Sequence, residues 1–153
     1  MGQEGRILPS FIRRILPEDI PAVVAIEKQS NPGPWGVDQF QAELDNPCAA
    51  VHLLTVQDEI AAFVCSWKIL DELQIQNVAT APCFRRKGYA DRLLRHVVQQ
   101  AVADGATRVF LEVRAGNRAA RQLYEKMGFS SSGSRHNYYA DGEDALLMKL
   151  ELD

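Results

Sequence analysis

The stretch from Leu73 to Val113 constrains the fold more than any other part of the chain. Leu73 to Thr80 is a β-prone run, and a short loop containing Arg85, Arg86, Lys87 and Gly88 follows it. From Gly88 to Ala103 the apolar residues Leu93, Leu94, Val97, Val98, Ala101 and Val102 recur at helical spacings, Gly105 stops the helix, and Val109 to Val113 reads as a buried strand. A strand, helix, strand unit of this length crosses over right-handed and leaves its strands as parallel neighbours. Ligand chemistry is then expected at the C-terminal ends of those strands.

The flanking segments extend this unit into a mixed α/β sheet. Phe11 to Leu16 predicts a strand, and Pro17, Glu18 and Asp19 open a helix with the apolar residues Ile20, Val23, Val24 and Ile26, ending near Ser30. Asn31 to Pro34 break the chain before Trp35, a short helix is expected from Val37 to Leu44, and Asn46 with Pro47 break it again. Val51 to Val56 and Ile60 to Ile69 form an expected hairpin. A last helix from Asn117 to Met127 is stopped by Gly128, and Phe129 to Tyr139 with Ala145 to Leu152 are expected to close the sheet as a hairpin turning at Asp141 and Gly142.

A chain of 153 residues, 46% hydrophobic, with no internal repeat or low-complexity linker, is expected to fold as one domain over residues 11–153 behind a loose tail at 1–10. No run of about 18 apolar residues occurs and the N-terminus lacks a secretory pattern, so a cytoplasmic protein without membrane partners is expected. The net charge of -3 argues against a general nucleic-acid partner. Cys48, Cys65 and Cys83 form no CxxC pair, and His52, His96 and His136 have no metal spacing, so neither disulfides nor a metal site are expected.

The loop between strand and helix is built for an anion. Free N–H groups at a helix N-terminus carry partial positive charge, Gly88 permits close approach to the backbone, and the cations beside it attract phosphate. Neither GxxxxGK[ST] nor GxGxxG is present; the spacing is Arg85, Gly88, Ala90. The stretch RRKGYA, with LEVRAGNRAARQLYEKMGF downstream, resembles the two conserved blocks of the GNAT acetyltransferases. Flanking these two blocks, Pro34 with Trp35, Asn137 to Tyr139, and Glu143 with Asp144 are similar to blocks of the bacterial RimI-like ribosomal-protein-alanine N-acetyltransferases. Ala81, Phe84 and Gly36 depart from that pattern, where an acidic residue, a tyrosine and a serine are usual.

The resemblance implies a GNAT fold: one mixed, mostly antiparallel sheet of about seven strands with about four helices, its two central parallel strands splayed at an acetyl-CoA site. It implies acetyl-CoA as co-substrate, held by the backbone of Asn77, Val78 and Ala79, by the loop Arg85, Arg86, Lys87, Gly88, Tyr89 and Ala90, and by Asn117 and Tyr124. It also implies Tyr124 as the general acid for the departing thiolate. Glu112, opposite in direction to Leu111 and Val113 on a strand expected to be buried, is the candidate general base. Burial raises a carboxylate's proton affinity and a neighbouring arginine such as Arg114 lowers it, and an ion pair with a neighbouring-strand arginine is the structural alternative. Trp35, Asp71, Glu72, Tyr138 and Tyr139 form a candidate aromatic and acidic rim for a basic peptide N-terminus.

The activity this implies is acetyl transfer from acetyl-CoA to a protein's N-terminal amine, with a small-subunit ribosomal protein beginning in alanine as partner. A small amine, a lysine side chain, or a silent acyl-CoA sensor are the alternatives.

Overall fold

The computed structural model describes residues 8–152, built around one seven-stranded sheet of order β1-β2-β3-β4-β5-β7-β6. The strands are β1 (Ser10–Arg14), β2 (Ala49–Val56), β3 (Glu59–Ile69), β4 (Glu72–Thr80), β5 (Arg108–Arg114), β6 (Ser130–Arg135) and β7 (Ala145–Glu151). The helices are α1 (Ile20–Ser30), α2 (Val37–Asp45), α3 (Tyr89–Ala103) and α4 (Arg118–Met127), with short 3-10 turns at Pro17–Asp19 and Pro82–Phe84. All neighbours pair antiparallel except β4 and β5, the parallel pair expected of the crossover. Of the tail expected at 1–10, residues 1–7 lie outside the described residues, whereas Leu8 packs against the core and Ser10 already pairs in β1.

Each face of the sheet carries its own apolar cluster. Leu93, Leu94, Val97, Val98 and Ala101 of α3 pack with Leu54, Val64, Val109 and Met148 on one side. Ile20, Val23, Val24 and Ile26 of α1 and Phe40 of α2 pack with Leu53, Phe63 and Cys65 on the other. The alternation of Leu53 with Leu54 and of Phe63 with Val64 follows from the two-residue period of a strand covered on both faces.

Two local departures position the site. The β3–β4 ladder pairs Cys65 with Asn77 but Ser66 with Ile75, leaving Gln76 as an extra residue in β4. Such a bulge bends the strand and reverses which face later side chains take. Leu73, Ile75 and Val78 accordingly join the α3-side cluster while Ala79 joins the α1-side cluster. The β4–β5 ladder ends at Ile75 with Leu111, so from the bulge onward the two strands part.

The second departure is at the C-terminal hairpin, where the strand expected to reach Tyr139 stops at Arg135. Its residues SSSGSR are all exposed and offer no apolar face, and Ser132 is left as an extra residue in the register between Ser131 and Gly133. Asn137 turns at φ 50, and residues 137–144 form a loop in which the Asn137 N–H donates to Asp144 and the Tyr139 N–H to the Glu143 carbonyl.

His52 on β2 is 6% exposed and faces His96 at 6.1 Å between ring centroids. Burial first, then the charge of Arg14, lowers its pKa from 6.5 to about 4, with Gln100 opposing. Between these values the unfolded chain takes up a proton that the folded one refuses. Stability is therefore full above the ordinary histidine value and falls as pH drops toward 4, by on the order of 3 kcal/mol. Urea unfolding at successive pH values should show this acid limb in the wild type, flattened in H52Q; equal slopes would overturn the assignment.

Candidate active site

A cleft of about 1060 Å³ opens where β4 and β5 part. Its floor is the second half of β4, whose backbone groups at Asn77, Val78 and Ala79 have no partner strand on the β5 side. The helix α3 begins at its far end, and its N-cap, Gly88, has φ 81. This left-handed backbone suits glycine, and no atom lies within 4 Å of where a Cβ would stand. No side chain caps α3, so its first N–H groups remain available to an anion.

The basic loop divides its work in a way the spacing does not reveal. Arg85 is committed to the protein: Nε donates to the Thr80 carbonyl at 3.1 Å, and Nη2 donates to the Gln29 carbonyl at 3.3 Å and Ser30 Oγ at 3.1 Å. It thus ties the end of β4 to the C-terminus of α1, satisfying a carbonyl that the helix leaves open. Arg86, Gly88, Tyr89 and Ala90 line the cleft beside it, whereas Lys87 does not. Asn117 lines the cleft as the N-cap of α4, where its Oδ1 accepts from the Ala120 N–H at 3.2 Å.

Glu112 and Tyr124 both face this cleft. Tyr124 is 7% exposed and packs on Phe129 at 5.7 Å. Burial, with a smaller contribution from Tyr139, pushes its phenol well above the ordinary tyrosine range, so it remains a protonated donor. Glu112 corrects an expectation. Its side chain is 35% exposed rather than buried, because β4 has left this face of β5 uncovered. Its nearest cation is Arg135, at 3.6 Å, and not Arg114.

Arg114 is occupied elsewhere. It donates to Asp141 at 2.9 Å and Glu143 at 3.1 Å, and its guanidinium lies 4.0 Å from the centroid of Tyr139. Glu143 also accepts from the Gly116 N–H at 2.8 Å. This network pins the 137–144 loop against the end of β5 and brings Tyr139 to the cleft.

Of the expected acceptor rim, Trp35 and Tyr139 line the cleft. Tyr138 stands outside it, edge-to-face with Tyr139 at 5.1 Å between ring centroids; a hydrogen bond with Glu112 is the main cause that raises its pKa. Asp71 and Glu72 do not belong to the rim. Asp71 accepts from Thr107 and Glu72 pairs with Arg108 at the opening of the parallel ladder, whereas the cleft begins only at Ile75. Being acidic and next to β4 in sequence did not place them near its other end.

Glu27 was not among the expected residues, yet it sits in the cleft wall. It follows Ile20, Val23 and Val24 at the spacing of one helical face, so a charge on an apolar stripe was the available signal. The carboxylate is 0% exposed. Its Oε2 accepts from the Trp35 N–H at 3.0 Å and from Asn77 Nδ2 at 2.9 Å.

Comparison with known proteins decides the family, since the profile of the Acetyltransferase (GNAT) family matches residues 20–129. The chain belongs to the GNAT acetyltransferases. This GNAT enzyme is 37% identical over 137 residues to the [Ribosomal protein bS18]-alanine N-acetyltransferase of Salmonella typhimurium, covering 88% of this chain and 92% of that protein. Its fold matches the crystal structure of the ribosomal-protein-S18-alanine N-acetyltransferase from Escherichia coli with a TM-score of 0.88 at 34% identity, over 95% of both chains. The structure of Ard1 from Thermoplasma volcanium matches with a TM-score of 0.86 at 26% identity, over 94% of this chain and 98% of that one. The GNAT fold with its splayed parallel pair is the one expected from the sequence. Among the described residues no helix is long and apolar enough to cross a membrane, and no group of three or more His, Cys, Asp and Glu side chains is arranged to hold a metal ion.

Proposed function

We propose that this acetyltransferase moves the acetyl group of acetyl-CoA onto the N-terminal α-amine of a protein, a ribosomal protein beginning with alanine, in the cytoplasm. The observation that carries the reading is the convergence of Glu112, Tyr124, the unpartnered edge of β4 and the uncapped start of α3 on one cleft. The naming of the Salmonella and Escherichia relatives supports the choice of acceptor.

The residues present fit acetyl-CoA. A pyrophosphate suits the first N–H groups of α3 beside Gly88 and Arg86, and amide groups of a pantetheine arm suit the free backbone of Asn77 to Ala79. Acetyl-CoA supplies the activated thioester; the chain supplies position and proton transfer. Glu112, open to the cleft, takes a proton from the incoming ammonium directly or through water. Tyr124, held neutral by burial, gives a proton to the departing thiolate. Trp35 and Tyr139 flank the acceptor's path from the α1–α2 and β6–β7 connections.

Mass spectrometry after incubation with acetyl-CoA checks this. A peptide beginning Ala-Arg should gain one acetyl group at its α-amine, and an N-blocked lysine peptide should gain none. Acetylation of lysine alone would replace the reading with a side-chain acetyltransferase. Failure of every peptide, with acetyl-CoA still bound, would point to a small amine or a silent sensor.

A further inference from the structure

Glu27 carries a charge that its structural contacts do not require. Two neutral donors, the Trp35 N–H and Asn77 Nδ2, converge on Oε2, and a neutral amide oxygen has lone pairs enough for both. The second oxygen, Oε1, is buried with no hydrogen-bond partner. No lysine, arginine or histidine forms an ion pair with Glu27 among the described residues. A buried carboxylate with a bare oxygen and no cation is an unfavourable arrangement that folding alone would not favour. It persists here in the wall of the cleft, on the side opposite β5, between the loop bearing Trp35 and the bulged part of β4.

We propose that Glu27 is a specificity-determining residue whose unpaired charge, acting through its field from inside the cleft wall and not by direct contact, selects a cationic amine acceptor. The inference rests on the reading of the acceptor as a peptide α-amine. Across the cleft, Arg114 is neutralised by Asp141 and Glu143, so it does not cancel the field of Glu27 at the acceptor end. The phosphate end, with Arg86, has the opposite sign. The cleft therefore carries Arg85 and Arg86 toward the start of α3 and the unpaired Glu27 carboxylate in its α1 wall, so charges of both signs line it. The bulge at Gln76 creates this arrangement, because it turns Asn77 toward α1, where its amide fixes the carboxylate.

The decisive experiment compares two ligands on two proteins, each saturated with CoA so that no turnover occurs. One peptide begins with a free alanine; the other carries a propionyl group in its place, keeping the shape and losing the amine. In E27Q the amide oxygen retains both donors while the amide nitrogen takes the place of the bare oxygen, and E27D retains the charge. By calorimetry the wild type is expected to bind the free-amine peptide about tenfold or more tightly than the propionyl peptide, a preference that E27Q reduces to within about twofold and E27D keeps. CoA affinity should stay within about twofold in all three, whereas a merely structural role would weaken it together with both peptides. An unchanged amine preference in E27Q, or no preference in the wild type, overturns the role of Glu27. Binding of neither peptide to wild type overturns the peptide-acceptor reading itself.

Discussion

Replacing Tyr124 with phenylalanine is expected to lower kcat by about 100-fold or more while leaving the affinity for acetyl-CoA within about twofold. The substitution removes one oxygen and keeps the ring that packs on Phe129, so no cavity opens in the α3-side cluster. What disappears is the proton. Burial keeps the phenol protonated well above neutral pH, and a group buried among apolar side chains has little water at hand to take over its task. Steady-state kinetics together with a CoA-binding measurement separate the outcomes. Wild-type turnover in Y124F would remove Tyr124 from the proton path, and a parallel loss of CoA binding would make it a contact instead.

A loss of about 10- to 100-fold in kcat is expected for E112Q at neutral pH, again with acetyl-CoA binding retained. Glutamine keeps the shape but takes up no proton. The competing account is that Glu112 serves only to pair with Arg135, 3.6 Å away. That pair is more than a third exposed on both sides, so it contributes little to stability. R135A distinguishes the two: if Glu112 acts as base, R135A retains most of the turnover that E112Q loses. If the ion pair is what matters, the two variants should fall together.

Much of the site was legible because it depends on short-range pattern. The helical spacing after Gly88 and the β-prone runs on either side compel a right-handed crossover, and the crossover puts β4 next to β5. From that placement follow the uncapped start of α3 and the facing of Glu112 and Tyr124 into one cleft. Pattern failed where a residue's role depends on a partner distant in the chain. Asp71 and Glu72 look like a rim only if the length of β4 is ignored, and the contacts that hold Arg85 in the cleft come from Gln29 and Ser30, far back in the chain. Glu112 was taken as buried because its strand neighbours are apolar, but one face of β5 is left open where β4 diverges.

By itself, then, the sequence determined the order and type of the elements, the parallel pair, and the glycine turn that opens α3, since each rests on periodicity, capping and backbone chirality that act within a few residues. Only the tertiary structure decided the rest. The extra residue Gln76 changes the facing of everything after it in β4, bringing Asn77 to Glu27, some 50 positions earlier in the chain. The loop that holds Tyr139 is set by Arg114 meeting Asp141 and Glu143. Strand register and long-range charge pairing are settled by packing between distant segments, which no local pattern in either segment records.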